Sequence, residues 1–226
     1  AIINKKILGV LPSKNSNFEK AVYPALVEDG KLSAYVSNHR YYSVGSHERL
    51  PLTASFLKRT PTIILDRDGV LNKKAPKAEY VKSWREFKWL PGAKEAIGLL
   101  KKTGYKIVVV TNQAGIARKM MTKADLSDIH DRMVEDLAKD GATIDAFYHC
   151  QHGWDDGCNC RKPKPGMLFQ AQKDFNLDLT RTYFIGDDMR DKQAGDAAGC
   201  KTLLISSNET LLQIVKNKIL LTHEVD

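Results

Sequence analysis

From Pro61 onward, short runs rich in β-branched and aromatic residues alternate with amphipathic stretches, and no other feature constrains the fold of this chain as tightly. The runs are residues 62–66 (TIILD), 106–111 (KIVVVT), 144–149 (IDAFYH), 182–186 (TYFIG) and 201–205 (KTLLI). Strands alternating with helix-length stretches predict an α/β fold, a parallel sheet with helices on both faces. Pro91 opens a helix that runs to about Lys102 and is stopped by Gly104. Thr122 reads as the N-cap of the next helix, with Asp125 at the third helical position as a variant capping box. Further helices are expected over 166–175, 190–198 and 208–218.

Residues 1–60 read differently, as a small α/β appendage. A helix is expected near 16–28, two short strands near 32–43 and a helix near 46–57, punctuated by Gly30, Asn38 and Gly45. At 226 residues and 42% hydrophobic content, the chain can bury one full core beside that appendage.

Composition narrows the class. The net charge of +8 admits nucleic acid, but Lys and Arg are scattered rather than gathered into a basic run, so an anionic small substrate accounts for them as well. No stretch reaches the roughly 18 to 20 apolar residues that cross a bilayer, and no signal-peptide pattern opens the chain. No membrane partner is expected, and a cytoplasmic location is the default.

The chemistry concentrates at strand ends. Asp66-Arg67-Asp68-Gly69 follows the first apolar run directly, where an open parallel sheet presents its ligand crevice. Two carboxylates at i and i+2 can divide labour, one attacking phosphorus and the other moving protons. Alone the motif also reads as a surface turn. Thr111-Asn112 close the second run, Gly186-Asp187-Asp188 the fourth, Asp191 lies just beyond, and Lys162 falls between them. A hydroxyl and an amide suit phosphoryl oxygens, a lysine neutralises developing charge and further carboxylates hold a hard cation. Each residue separately could be a turn, a cap or a solvated charge; their joint order is what points to a phosphoryl site.

Cys150, His152, Cys158 and Cys160 make a second cluster, three thiols and an imidazole in the set that holds structural zinc. It immediately precedes Arg161 and Lys162, so a metal there would fix the loop that delivers both cations. Cys200 is expected in the core, and His149 at a strand end.

The stretches DRDGVLN (66–72), VVVTNQAGI (108–116), CRKPKPGM (160–167) and FIGDDMRD (184–191) resemble the motifs of haloacid dehalogenase superfamily phosphatases. More narrowly they resemble the D-glycero-D-manno-heptose 1,7-bisphosphate phosphatases and their histidinol-phosphatase relatives, over about residues 61–206. The resemblance implies a five-stranded Rossmann-like sheet with little or no cap, and a Mg2+-dependent phosphatase acting on a small phosphorylated sugar. By it Asp66 is the nucleophile, Asp68 the general acid and base, Lys162 the charge stabiliser, and Thr111 and Asn112 phosphoryl ligands. Magnesium would lie between Asp66, the Asp68 carbonyl and Asp187; Asp188 is a further candidate, reached if at all through a water, and Asp191 would orient Lys162. Arg161 is available for a distal phosphate. The family has the same zinc ligand order with a longer run between the pairs; here five residues separate His152 from Cys158, a compact form that histidinol phosphatases share.

Phe18-Glu19-Lys20, Tyr23-Pro24 and the stretch 41–49 resemble the final part of a sugar-1-phosphate nucleotidyltransferase. Ser43 stands where that family's metal-binding aspartate is expected, and its glycine-rich nucleotide-binding beginning is missing, so no nucleotidyl transfer is expected. Residues 1–58 are therefore a remnant of a transferase-phosphatase fusion or a segment kept for packing and homo-oligomerisation, with 59–226 as the phosphatase domain, in a nucleotide-sugar setting. A catalytically silent zinc-loop assembly module is the alternative from another class. A nucleic-acid phosphatase would want an aromatic platform, which Trp84, Trp89 and Trp154 are too dispersed in sequence to make; Trp84 and Trp89 are expected to pack before Pro91.

Overall fold

The structure is a computed structural model that describes residues 5–11, 14, 15, 17–33, 45–76 and 78–221. The chain divides into two compact units, Ala1–Tyr41 and Tyr42–Asp226. In the first, helix α1 (Phe18–Glu28) begins where the Asn17 side chain accepts the Lys20 N–H at 3.0 Å. The two strands expected near 32–43 fall largely, and Ser43 wholly, outside the described residues.

The second unit opens with α2 (Leu50–Leu57), which a short 3-10 turn at His47–Arg49 precedes. Five parallel strands follow: β1 (Thr62–Leu65), β2 (Lys106–Asn112), β3 (Ala146–Cys150), β4 (Tyr183–Gly186) and β5 (Lys201–Leu204). Their spatial order is β3-β2-β1-β4-β5, so the earliest strand is the central one. Between them run α3 (Ala93–Lys102), α4 (Lys123–Ala138), α5 (Gly166–Phe175) and α6 (Met189–Ala198), with α7 (Leu211–Ile214) continuing as a π-helix over Val215–Leu220. All five expected strands form, each within two residues of its expected start.

The strand sequences explain why both faces are covered. Side chains alternate along a strand, so in β1 Ile63 and Leu65 enter one core while Ile64 enters the other. The first core packs them with Ile107 and Val109 against α3, α4 and α7. The second packs Ile64, Val108, Val110 and Phe184 against α5 and α6. Strands buried on both sides need unbroken apolar runs, which is what these sequences contain.

The helix ends follow local chemistry. Thr122 caps α4 with the full reciprocal box, its hydroxyl accepting the Asp125 N–H at 3.1 Å while the Asp125 carboxylate accepts the Thr122 N–H at 2.7 Å. α3 starts two residues after Pro91 rather than at it, because Gly92 intervenes with φ +76°. Trp84 stacks on Phe87 at 5.0 Å and Phe87 meets Trp89 edge-on, so these tryptophans pack under the loop before Pro91 as expected. Cys200 is buried.

Two glycines in helices test the packing. A Cβ on Gly195 in α6 would lie 2.1 Å from Thr202 Oγ1 and 3.0 Å from the Phe184 ring, whereas one on Gly98 in α3 meets nothing within 4 Å. Gly195→Ala is expected to destabilise by about 1 to 3 kcal/mol through overpacking, and Gly98→Ala to stabilise by up to about 1 kcal/mol through helix propensity. Urea unfolding of the two variants measures both signs.

Candidate active site

Because β1 lies between β2 and β4, the loops leaving these three strands meet at one edge of the sheet, and the chain reverses its winding direction there. Asp66 leaves β1, Thr111 and Asn112 end β2, and Asp187 leaves β4. Asp66, Thr111 and Asn112, together with Asp68 and Lys162, line a cleft of about 570 Å³.

Lys162 is the centre of its closed end, 4% exposed. Its Nζ lies 2.8 Å from Asp66 Oδ1 and 2.6 Å from Asp191 Oδ1, and donates to the Val110 carbonyl at 3.1 Å. Burial alone would strip the proton from this amine; the two carboxylates outweigh it and raise its pKa. Asp191 thus orients Lys162, and its other oxygen accepts the N–H groups of Asp187 and Asp188, both at 3.2 Å. Gly186 must be glycine, since a Cβ there would lie 2.3 Å from that of Asp191.

Asn112 takes a role the sequence does not announce. Its carboxamide clamps the Lys162 backbone, Nδ2 donating to the carbonyl and Oδ1 accepting the N–H, each at 3.0 Å. The second Nδ2 hydrogen and the main-chain N–H are what this residue has left for a phosphoryl group. The Thr111 hydroxyl, by contrast, accepts from Gln113 Nε2 at 2.9 Å and keeps its hydrogen to donate.

The aspartates differ electrostatically. Burial pushes the Asp66 carboxyl up to about 7 against the pull of Lys162, with Asp191 and Asp68 adding repulsion. Burial also disfavours the charge of Asp68, yet Arg67 beside it and hydrogen bonds from Asn72 and Gln113 hold it below the usual carboxylate range. Burial raises Asp187, partly offset by Lys74, whose Nζ lies 2.8 Å from its Oδ2. Asp187 Oδ1 is buried with no hydrogen-bond partner, and Asp66, Asp187 and Asp191 have carboxylate oxygens within 4.8 Å of one another. That is the donor set of a hard cation, although Asp191 already serves Lys162. Asp188 is committed elsewhere: it caps α6, and the Arg190 fork takes both of its oxygens at 2.8 and 2.9 Å.

The cysteine and histidine cluster assembles as its spacing suggests. Cys150 Sγ lies 3.6 Å from both His152 Nδ1 and Cys158 Sγ, and His152 Nδ1 lies 3.2 Å from Cys160 Sγ. Tetrahedral zinc with bonds of about 2.3 Å to sulfur separates its sulfurs by about 3.8 Å, so these four side chains are spaced to hold one ion. His149 is exposed and outside the cluster.

Three further segments form the rim. The Arg118 guanidinium lies 5.2 Å from the Trp154 ring and 5.9 Å from the Tyr80 ring, and donates to the Ala78 carbonyl at 3.2 Å. Arg161 and Arg190 line the cleft beside them, and Arg161 Nη1 is buried without a partner. Sequence reasoning missed Arg67, Asn72, Lys74, Gln113, Arg118 and Arg190. Asn72 and Gln113 at least lie inside quoted motifs, whereas nothing local marks Lys74 or Arg118.

Comparison with known proteins adds a family model described as polynucleotide kinase 3 phosphatase, which matches residues 62–214. A D-glycero-beta-D-manno-heptose-1,7-bisphosphate 7-phosphatase from Bordetella bronchiseptica is 43% identical over 145 residues, 64% of this chain and 80% of the relative. The crystal structure of a D,D-heptose 1,7-bisphosphate phosphatase from the same organism, complexed with magnesium and phosphate, superposes with TM-score 0.63 at 39% identity, covering 70% of this chain and 87% of that one. An HAD-like phosphatase from Mesorhizobium loti aligns with TM-score 0.58 at 34% identity, covering 65% and 73%.

Two outcomes follow from the geometry. Asp191→Asn leaves a buried ammonium with one carboxylate fewer, and is expected to cost about 3 kcal/mol or more in urea unfolding. The purified chain is expected to carry one zinc, measured by atomic emission, which Cys158→Ser abolishes with a lowered Tm.

Proposed function

The chain belongs to the haloacid dehalogenase-like phosphatases of the polynucleotide kinase 3 phosphatase family, and from that premise we propose that it removes the C7 phosphate of a D-glycero-D-manno-heptose 1,7-bisphosphate through an aspartyl-phosphate on Asp66. It is a phosphoric monoester hydrolase. One observation carries the reading of the site: the buried Lys162 ammonium, held by Asp191, touches Asp66 at the closed end of a cleft that Asp68 also lines.

In the first step an Asp66 carboxylate oxygen bonds to phosphorus as the phosphorus–oxygen bond to the sugar breaks. Asp68, protonated once the phosphate dianion is bound beside it, gives that proton to the departing oxygen. A water then loses a proton to Asp68 and bonds to phosphorus, the Asp66–phosphorus bond breaks, and inorganic phosphate leaves with Asp66 again a carboxylate and Asp68 again protonated. Lys162 and the Thr111 hydroxyl stabilise charge on the phosphoryl oxygens, with Asn112 contributing a phosphoryl contact and the placement of Lys162. A magnesium ion held by Asp66, the Asp68 carbonyl and Asp187 supplies the positive charge that keeps Asp66 ionised and lets it approach a phosphate dianion. The unpartnered Asp187 Oδ1 and the magnesium in the Bordetella bronchiseptica crystal structure support that assignment.

Zinc on Cys150, His152, Cys158 and Cys160 is the staple of the loop that carries Arg161 and Lys162. The buried, unpartnered Arg161 Nη1 supports a role in binding the second phosphate. Residues 1–58 act as a transferase-like remnant that serves packing or homo-oligomerisation. A cytoplasmic location belongs to this reading: three of the four cysteines sit in the metal cluster and none is paired in a disulfide, which suits a reducing compartment. Nucleic acid is not the substrate in this reading.

The test is phosphate release with magnesium from both anomers of the heptose bisphosphate, histidinol phosphate and a 3′-phosphorylated oligonucleotide. Preference for a heptose anomer is expected, and Asp66→Asn is expected to lower turnover about 10³-fold or more. Preference for histidinol phosphate or the oligonucleotide would reassign the substrate; no release from any would leave an assembly module.

A further inference from the structure

Arg67 lies between the two aspartates in sequence, yet its side chain points into the protein and is 0% exposed. Its guanidinium donates to Asp68, from Nε and Nη2 to Oδ1 at 3.3 and 3.0 Å and from Nη2 to Oδ2 at 2.9 Å. Asn72 Nδ2 adds a bond to Oδ1 at 2.9 Å, and Gln113 Nε2 one to Oδ2 at 2.8 Å. Three side chains from two loops therefore converge on one carboxylate.

Each of the three also leaves a polar atom buried without a hydrogen-bond partner: Arg67 Nη1, Asn72 Oδ1 and Gln113 Oε1. Unmatched buried polar atoms are destabilising, and an arrangement shaped by stability alone satisfies them. Their concentration on the donors to a single group is the kind of departure from local rules that functional sites show.

We propose that Arg67, assisted by Asn72 and Gln113, is a positioning residue that aims the Asp68 carboxyl at the leaving-group oxygen of the substrate. The proposal rests on the phosphatase reading given above. Rotation of a carboxyl group about its terminal torsion is soft, whereas proton transfer needs donor and acceptor within about 2.6 to 3.2 Å. A guanidinium spanning both oxygens and an amide on either one remove that freedom. The consequence falls on poor leaving groups. A sugar alkoxide departs only as it takes the Asp68 proton; p-nitrophenolate departs without it.

The experiment compares a sugar phosphate with p-nitrophenyl phosphate in wild type, Arg67→Lys and Gln113→Leu. Both variants are expected to lower kcat on the sugar phosphate about tenfold or more, with a much smaller loss on p-nitrophenyl phosphate. In an Asp68→Asn background, neither substitution is expected to change the ratio between the substrates further. An equal loss on both substrates, no loss, or a further change of the ratio without Asp68 overturns the proposal. Gln113→Leu keeps the side-chain shape and carries the measurement should circular dichroism show that Arg67→Lys does not fold. A wild type that turns over neither substrate overturns the phosphatase reading itself, whereas an active wild type with unaltered selectivity in the variants overturns only the positioning role.

Discussion

A buried ammonium organises this molecule. Lys162 is almost wholly removed from water, and an amine there stays charged only if carboxylates repay the lost hydration. Asp66 and Asp191 do so, and the second of them ties the lysine to the next loop by accepting the N–H groups of Asp187 and Asp188. The lysine backbone is clamped in turn by Asn112, and the cysteine and histidine cluster sits on the same loop two residues upstream. One charge requirement thus links the ends of three strands.

The fold makes this linkage cheap in chain length. With β1 at the centre, the loops after β1, β2 and β4 are neighbours in space without any long excursion. The alternating burial of β1 side chains anchors both helical layers on the strand that ends in Asp66. The nucleophile candidate therefore extends from the most constrained backbone in the molecule, where small displacements are costly.

The site holds like charges close together, and the balance is uneven by design. Burial and neighbouring carboxylates raise Asp66 and Asp187, while Arg67 and two amides keep Asp68 low. Lys74 and Arg190 offset the remaining charge at the mouth, paired with Asp187 and Asp188.

Much of this was legible before any coordinates. Strand runs, the Thr122 cap, the Asp66 and Asp68 pair, and the ligand order from Cys150 to Cys160 are all written in spacings of a few residues, where backbone geometry alone decides what meets what. The commitments of individual side chains were not. That Arg67 turns inward, that Asn112 clamps the Lys162 backbone, that Asp188 belongs to Arg190, and that Lys74 reaches Asp187 across 113 residues all depend on register and on which face of an element points where. Local sequence determined the elements and the candidate reacting groups, because periodicity and motif spacing are short-range properties. The tertiary structure alone decided which charge faces which, because that is set when distant segments pack and each buried polar group takes the partner left within its reach.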